Sequence, residues 1–425
     1  MQVTAVLLLL LAGFVNFLDR GSLGIANTTI RADLGFSGTR IGALLSIFSL
    51  AYAFAQLPIG LMLDRFGTRA MLSGAMLLWS LTQAATGWVV GFRSFVTARI
   101  GLAVGEAPFV VSSVKTVRDW FAAPDRATPM GIVNSATPLG QALAPPLLTV
   151  IMLHFGWRGM FMIIGLPGLA LSIAWFLLYR DRKEIPLDSE EAAYFETAPP
   201  SEASPGERMG ISFSDWGRLF RLRTMWGMML GFGGINYTAW LYISWMPGYF
   251  EAERHVSIAN TGKIATIPFL CGAVGMSLSG WIADRLVRSG LPPPKVHKTL
   301  LIVGMTCSAL CTLSLIRVPG VVGAVAAVSA ALFFIYLAGN SGWGLVHAMA
   351  PASMVASVGA IQNFGSFICA SVAPFLVGWL LDKTHSFHIA LAICALVTLS
   401  GAACYLLVVK EPIPSTTEPA AIALQ

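Results

Sequence analysis

The sequence predicts an all-α membrane protein in which twelve transmembrane helices form two pseudo-symmetric six-helix bundles. Three observations predict it. The chain of 425 residues is 56% hydrophobic and 11% charged, whereas soluble domains carry roughly 25% charged residues. Apolar runs of the length that spans a hydrocarbon core of about 30 Å recur six times on each side of one charged segment. A single loop pattern also occurs twice, once in each set of runs. This composition excludes a soluble enzyme and a nucleic-acid-binding module, so the formal charge of +6 is read as membrane topology.

In chain order, the first set of runs covers residues 4–27, 41–61, 70–91, 94–117, 128–152 and 158–179. The second covers 225–250, 260–284, 299–317, 320–349, 354–380 and 387–409. Between them, residues 180–223 hold most of the clustered charge, together with Pro199-Pro200 and a Ser-Glu-Ala-Ser-Pro stretch, and read as a polar linker. The expected organisation is therefore an N-terminal bundle (1–179), a cytoplasmic linker (180–223), a C-terminal bundle (224–410) and a cytoplasmic tail (411–425). With the N-terminus inside, the cytoplasmic segments collect 16 Lys and Arg against eight on the other side, which sets both termini in the cytoplasm. No basic n-region or small-x-small site marks a cleavable signal at the start. The six cysteines lie in apolar runs without metal-type spacing, so neither a metal site nor a cofactor is expected.

The repeated loop is Gly60-x-x-x-Asp64-Arg65-x-Gly67-x-Arg69 after the second run and Gly280-x-x-x-Asp284-Arg285 after the eighth. Glycine permits close helix approach, while the Asp and Arg bind helix ends or neighbouring loops in one conformational state. The recurrence in register argues for two related bundles. Asp64, Arg65, Arg69, Asp284 and Arg285, with Arg126 after the fourth run, are thus candidate gating residues.

The first run contains Asp19 and Arg20. Stopping at Leu18 would leave it too short to span, so the charged pair enters the bilayer. A charge near the bilayer centre costs at least roughly 2.5–3.5 kcal/mol, and such residues face water-filled cavities and act there. The two side chains are about 100° apart and cannot face the same spot; one division of roles has Arg20 toward a central cavity and an anion, which its guanidinium grips bidentately, and Asp19 toward the fourth run. There Arg99 and Glu106 stand within about 20° of one helical face. They either point into a shared polar cavity, with Glu106 as a protonation switch, or form a permanent ion pair that locks helices. Lys115, on the opposite side of that helix, reads as a snorkelling or gate residue. Lone His347 reads as a packing or gate residue. Asn236, Tyr237, Tyr242 and Trp245 near Pro247-Gly248 suggest a breakable helix end and an outer gate.

On Asn16–Arg20, Gly60–Arg69, Arg99-Ile-Gly-Leu-Ala-Val-Gly-Glu106-Ala-Pro108 and Trp120-Phe121 followed by Asp125-Arg126-Ala127, the chain resembles the major facilitator superfamily over nearly its whole length. Within it the chain is similar to the anion:cation symporter branch, which includes bacterial galactonate and hexuronate transporters. That resemblance implies the major facilitator fold and a bacterial inner-membrane location. It implies Asp19, Glu106 and Arg99 in proton coupling, and Arg20, Tyr52, Arg99, Thr137, Asn340, Trp343 and Asn363 around the substrate. Galactonate-type members have Gln where this chain has Thr137, and commonly Tyr where it has Phe17, which removes polar reach from the site. The expected function is a proton-coupled symporter, acting as a monomer in membrane lipid, that imports a small organic anion such as a hexonate, hexuronate or aldarate by alternating access. Import of aromatic or short hydroxy-carboxylates, or proton-coupled export, are the alternatives.

Overall fold

A computed structural model describes residues 1–122, 125–184, 217–351 and 354–414. The linker segment 185–216 and the tail 415–425 lie outside the described residues. Within them the chain is helical, with no strand. The first half comprises α1 (Gln2–Ile25), α2 (Asn27–Leu34), α3 (Gly38–Ala55), α4 (Ile59–Ala85), α5 (Phe92–Glu106), α6 (Pro108–Trp120), α7 (Ala127–Asn134) and α8 (Ala136–Leu178). The second comprises α9 (Arg223–Ala252), α10 (Ile258–Arg288), α11 (Pro293–Ser314), α12 (Gly320–Met349), α13 (Val355–Thr384) and α14 (His388–Leu407).

These helices make twelve crossings. α5 and α6 together form the fourth, joined at Ala107 with Pro108 opening the second piece, where its missing N–H is one of the unpaired donors of a helix start. The 43-residue α8 reverses at Gly156 (φ 69°) and so holds most of the fifth crossing and all of the sixth. The reversal needs a positive φ that only glycine adopts without penalty. α4 likewise turns at Gly67 (φ 78°) from the end of the second crossing into the third. Nine helical runs pass a plain test of length and hydropathy, one of them residues 128–178, which crosses twice. The two crossings that fail it, α4 and α9, are the more polar ones. α9 packs on α13 and α14 of its own half and on α1 of the other, with 21 of its 30 residues buried.

In the first half, α8 packs on α1 and α4; in the second, α12 packs on α10 and α11, and α9 on α13. The halves meet along α3–α13, α8–α10 and α1–α9. The first two seams are crossings two with eleven and five with eight, which exchange under the two-fold that carries crossing n onto n + 6. Glycine makes both tight. A Cβ at Gly42 would stand 2.3 Å from the Pro374 carbonyl oxygen, and one at Gly262 3.0 Å from that of Pro145. These glycines have the same separation as Gly60 and Gly280, so the sequence repeat extends into the seams.

The seams close the molecule at the end away from the chain termini, here the distal end. Gly24 packs on the Ile243 and Ser244 carbonyls, and Gly38 on Gly378. Thr28 donates to Glu251, and Asp382 accepts from the Gly38 and Thr39 backbone N–H groups, both at 2.7 Å. Toward the proximal end, the halves touch through Asn363–Gln56 and Phe54–Phe364, where Phe54 and Leu57 are exposed.

Candidate functional site

Arg20 and Asp19 follow each other on α1, so the helix turns their side chains to different neighbours. The Arg20 Nε donates to Glu106 Oε2 at 2.7 Å. Its guanidinium carbon stands 4.7 Å from the centre of the Tyr52 ring, 5.4 Å from Phe17 and 5.7 Å from Phe48. This is an aromatic cage suited to a planar cation. Glu106 is wholly buried, and the Arg20 side chain keeps 12% exposure.

Asp19 is fully buried, and neither carboxylate oxygen has a hydrogen-bond partner among the described residues. Arg99 is buried too, with Nε and Nη2 unpartnered and its guanidinium carbon 5.7 Å from both Phe95 and Phe161. The charged groups acting on Asp19 are Glu106, Arg99 and Arg20. Four formal charges therefore cancel in one buried cluster, yet one ion pair closes. Glu106 pairs with Arg20 of the neighbouring helix and not with Arg99 of its own. Seven residues of helix rise about 10.5 Å, too far for a shared face alone to bring Arg99 and Glu106 into contact. A carboxylate and a guanidinium thus keep unused bonding capacity beside a pair, and buried polar groups of that kind are costly unless a proton or ligand meets them.

Arg20 opens on a cavity of about 200 Å³ between the halves. α1 lines it with Phe17, Arg20, Gly21 and Ile25, and α8 with Gln141, Ala144 and Pro145. The second half adds Asn236, Trp240, Phe269, Tyr336 and Phe367. Arg20 is the charged residue among the lining. The volume lies below the roughly 300–1,000 Å³ of clefts for drug-sized ligands, which suits a small molecule. Toward the distal end the cavity stops at Ile25, Pro145, Ile243 and Pro247.

Of the substrate-facing residues expected from sequence, Arg20 and Thr137 line this cavity. Tyr52 is 2% exposed and serves it through the Arg20 cage, packed against Phe48 and Phe367. Arg99 stands behind the wall. Asn340 lies against Gly280, the repeat glycine. Trp343 is exposed and packs edge-on to Phe232, and Asn363 bridges to Gln56 at 3.3 Å. These last three lie outside the cavity lining. Sequence reasoning missed Gln141, Tyr336, Trp240, Phe269 and Phe367, and assigned Asn236 to an outer gate. α9 runs unbroken through Pro247 to Ala252, and Tyr237, Tyr242 and Trp245 are buried; Asn236 faces the cavity and donates to Ser366 at 2.7 Å.

The loop residues fall into two groups. At Gly67 the Thr68 N–H donates to Asp181 at 2.9 Å, and the Arg69 Nε to the Phe176 carbonyl at 2.9 Å. Arg69 also pairs with Glu184 at 3.4 Å. A Cβ on Gly67 would meet an Asp181 oxygen at 2.3 Å, so the turn is bolted to the start of the linker. Arg126 binds the Phe121 and Arg118 carbonyls. Arg65, Asp284 and Arg285 are exposed, Arg285 lying 5.5 Å over Trp281. The Asp64 backbone belongs to α4, but its side chain lies outside the described residues.

Comparison with known proteins places this geometry. The family model described as Major Facilitator Superfamily matches residues 9–360. A probable L-galactonate transporter of Escherichia coli is 50% identical over 412 residues, covering 97% of this chain and 90% of that one. A hexuronate transporter of Bacillus subtilis is 31% identical over 394 residues, covering 91% and 89%. Among solved structures, a bacterial homologue of the human lysosomal transporter Spinster, inward-facing and occupied, superposes with a TM-score of 0.78 at 17% identity, covering 95% of this chain and 96% of that one. The inward open xylose transporter of Escherichia coli gives 0.76 at 15% identity, covering 97% of each.

Proposed function

The chain belongs to the Major Facilitator Superfamily, and from that premise we propose that it is a proton-coupled symporter importing a sugar acid (a hexonate, hexuronate or aldarate) by alternating access. It acts as a monomer in a bacterial inner membrane with both termini cytoplasmic. In that orientation the closed distal end faces outward, and the molecule is in an inward-facing state. The observation that carries the reading is Arg20, the charged residue of the cavity lining, held by Glu106. A substrate carboxylate reaches Arg20 by displacing Glu106. The freed, fully buried Glu106 is then stable with a proton, so anion binding and proton uptake become one event. Asp19 takes the second proton beside Arg99. The names of the relatives, galactonate and hexuronate transporters, support the substrate class.

The reading assigns the switch to the Arg20–Glu106 pair, in place of the Arg99–Glu106 pairing weighed from sequence. The test is uptake into proteoliposomes with an inward proton gradient. Arg20→Ala removes L-galactonate binding, lowering affinity at least a hundredfold, as does loss of a buried charged partner worth about 3–5 kcal/mol. Normal transport by that variant would favour a proton-coupled exporter that has no use for a cavity guanidinium. The aromatic lining of Phe17, Trp240, Phe269 and Phe367 supports a second reading, import of aromatic carboxylates, which competition of galactonate uptake by benzoate decides.

A further inference from the structure

One hydrogen bond crosses the cavity from half to half. The Tyr336 hydroxyl of α12 donates to Gln141 Oε1 of α8 at 2.5 Å, and both residues line the cavity that holds Arg20. Neighbouring packing fixes Gln141 beside α1. A Cβ on Gly140 would meet the Phe17 Cβ at 2.6 Å, and one on Gly21 would meet Ala144 at 3.4 Å. The Gln141 side chain therefore has one helix face open, toward the cavity. Its carbonyl oxygen is used by Tyr336, while its amide nitrogen has no partner among the described residues. The phenol oxygen of Tyr336, having donated its proton, keeps lone pairs to accept with. The pair thus presents two N–H donors and one acceptor to whatever fills the cavity.

That set fits a hydroxyl group and not a carboxylate. A hydroxyl accepts from the Gln141 amide and donates to the Tyr336 oxygen; an ionised carboxylate only accepts. A ligand without a hydroxyl there would leave a buried amide unsatisfied, and sites built around a hydrogen bond reject such analogues far more strongly than apolar pockets reject a change of size. Asn236, its nitrogen committed to Ser366, adds a carbonyl acceptor on the same wall.

We propose that the Gln141–Tyr336 pair is the hydroxyl-reading element of the transport site: it selects polyhydroxylated over deoxygenated carboxylates of equal length. Because its two members belong to different halves, a ligand that engages both also ties occupancy to the apposition of the halves. This inference rests on the sugar-acid reading above and goes beyond it by assigning discrimination to residues other than the Arg20 carboxylate anchor.

The experiment is uptake of labelled L-galactonate by purified protein in proteoliposomes, competed by unlabelled L-galactonate or by hexanoate, which has the same carbon chain and no hydroxyls. The wild type is expected to prefer galactonate at least a hundredfold. Gln141→Met, which keeps the volume, is expected to cut that ratio at least tenfold, through weaker galactonate binding with unchanged hexanoate inhibition. Tyr336→Phe, which removes one oxygen, is expected to do the same, and the double variant to lose no more than the worse single. If Gln141→Met is not recovered as a monodisperse protein, Tyr336→Phe reads the same ratio. A selective wild type whose ratio survives both substitutions overturns the role of the pair. A wild type indifferent between the two acids overturns the sugar-acid reading and this inference with it.

Discussion

At the scale of single residues, the proposed mechanism makes Glu106 the point where binding and protonation meet. It is fully buried and its described ionic partner is the Arg20 guanidinium, so removing its charge leaves Arg20 free for an anion at any pH. Glu106→Gln keeps the shape and the hydrogen-bond acceptor. It is expected to abolish uphill accumulation while galactonate binding, followed by thermal shift, persists and loses the part of its dependence on pH between 5.5 and 8 that Glu106 supplies. Accumulation at the wild-type level would refute the coupling role. Asp19, Arg20, Arg99 and Glu106 were legible in the sequence because a charge in an apolar run is expensive and therefore conspicuous. Which of two arginines Glu106 meets was not. Arg20 lies 86 positions away, and helical periodicity orders residues within a helix without saying which helix stands opposite. Gln141, Asn236 and Tyr336 were harder still, because neutral amides and phenols in apolar spans serve packing as readily as recognition.

At the scale of elements, the start of α3 explains how the distal end is held shut. The first N–H groups of a helix have no partner within it. Ser37 takes that of Arg40 at 3.2 Å, and Asp382, at the end of α13 in the other half, takes those of Gly38 and Thr39 together with the Thr39 hydroxyl at 2.6 Å. An acidic cap from another element serves the helix dipole as well as the orphan donors, and it exists only while the halves are in contact. Asp382→Ala is expected to cost the closed arrangement about 0.5–2 kcal/mol, moving the population toward a distal-open state by roughly twofold to thirtyfold. Distances between spin labels on the distal ends of α3 and α13 read this, and an unchanged distribution would exclude the cap as a latch. The sequence announced α3 through its apolar run, though not its first turn; the N-cap partner comes from 343 residues downstream.

At the scale of the whole molecule, transport requires the two halves to part at the end where they now meet, and the pseudo-two-fold gives that end two equivalent seams with unequal tolerance. On one, a Cβ at Gly42 would press on backbone, the Pro374 oxygen at 2.3 Å and the Phe375 Cα at 2.9 Å. On the other, a Cβ at Gly262 would meet the Thr149 side chain, its Oγ1 at 2.4 Å and its Cβ at 2.7 Å, with the Pro145 oxygen at 3.0 Å; the hydroxyl can turn aside, and what remains is a smaller overlap than the one at Gly42. The loop repeat and the seam glycines share one spacing in the sequence, but this difference lies in what each glycine faces, which no spacing encodes. Overpacking a close-packed contact costs about 1–3 kcal/mol, and here the molecule can relieve it by holding the seam open. Gly42→Ala is thus expected to bind galactonate as well as the wild type, or better from the distal side, while transporting it at least tenfold more slowly, because the distal-closed state is reached only against that overlap. Gly262→Ala is expected to stay within about threefold of wild-type transport. Binding by isothermal titration and uptake in the same proteoliposome preparations separate the two effects. Equal losses at both positions would mean that the seams yield as a unit, and loss of binding at Gly42 would mean that the seam shapes the site and not only the transition between states.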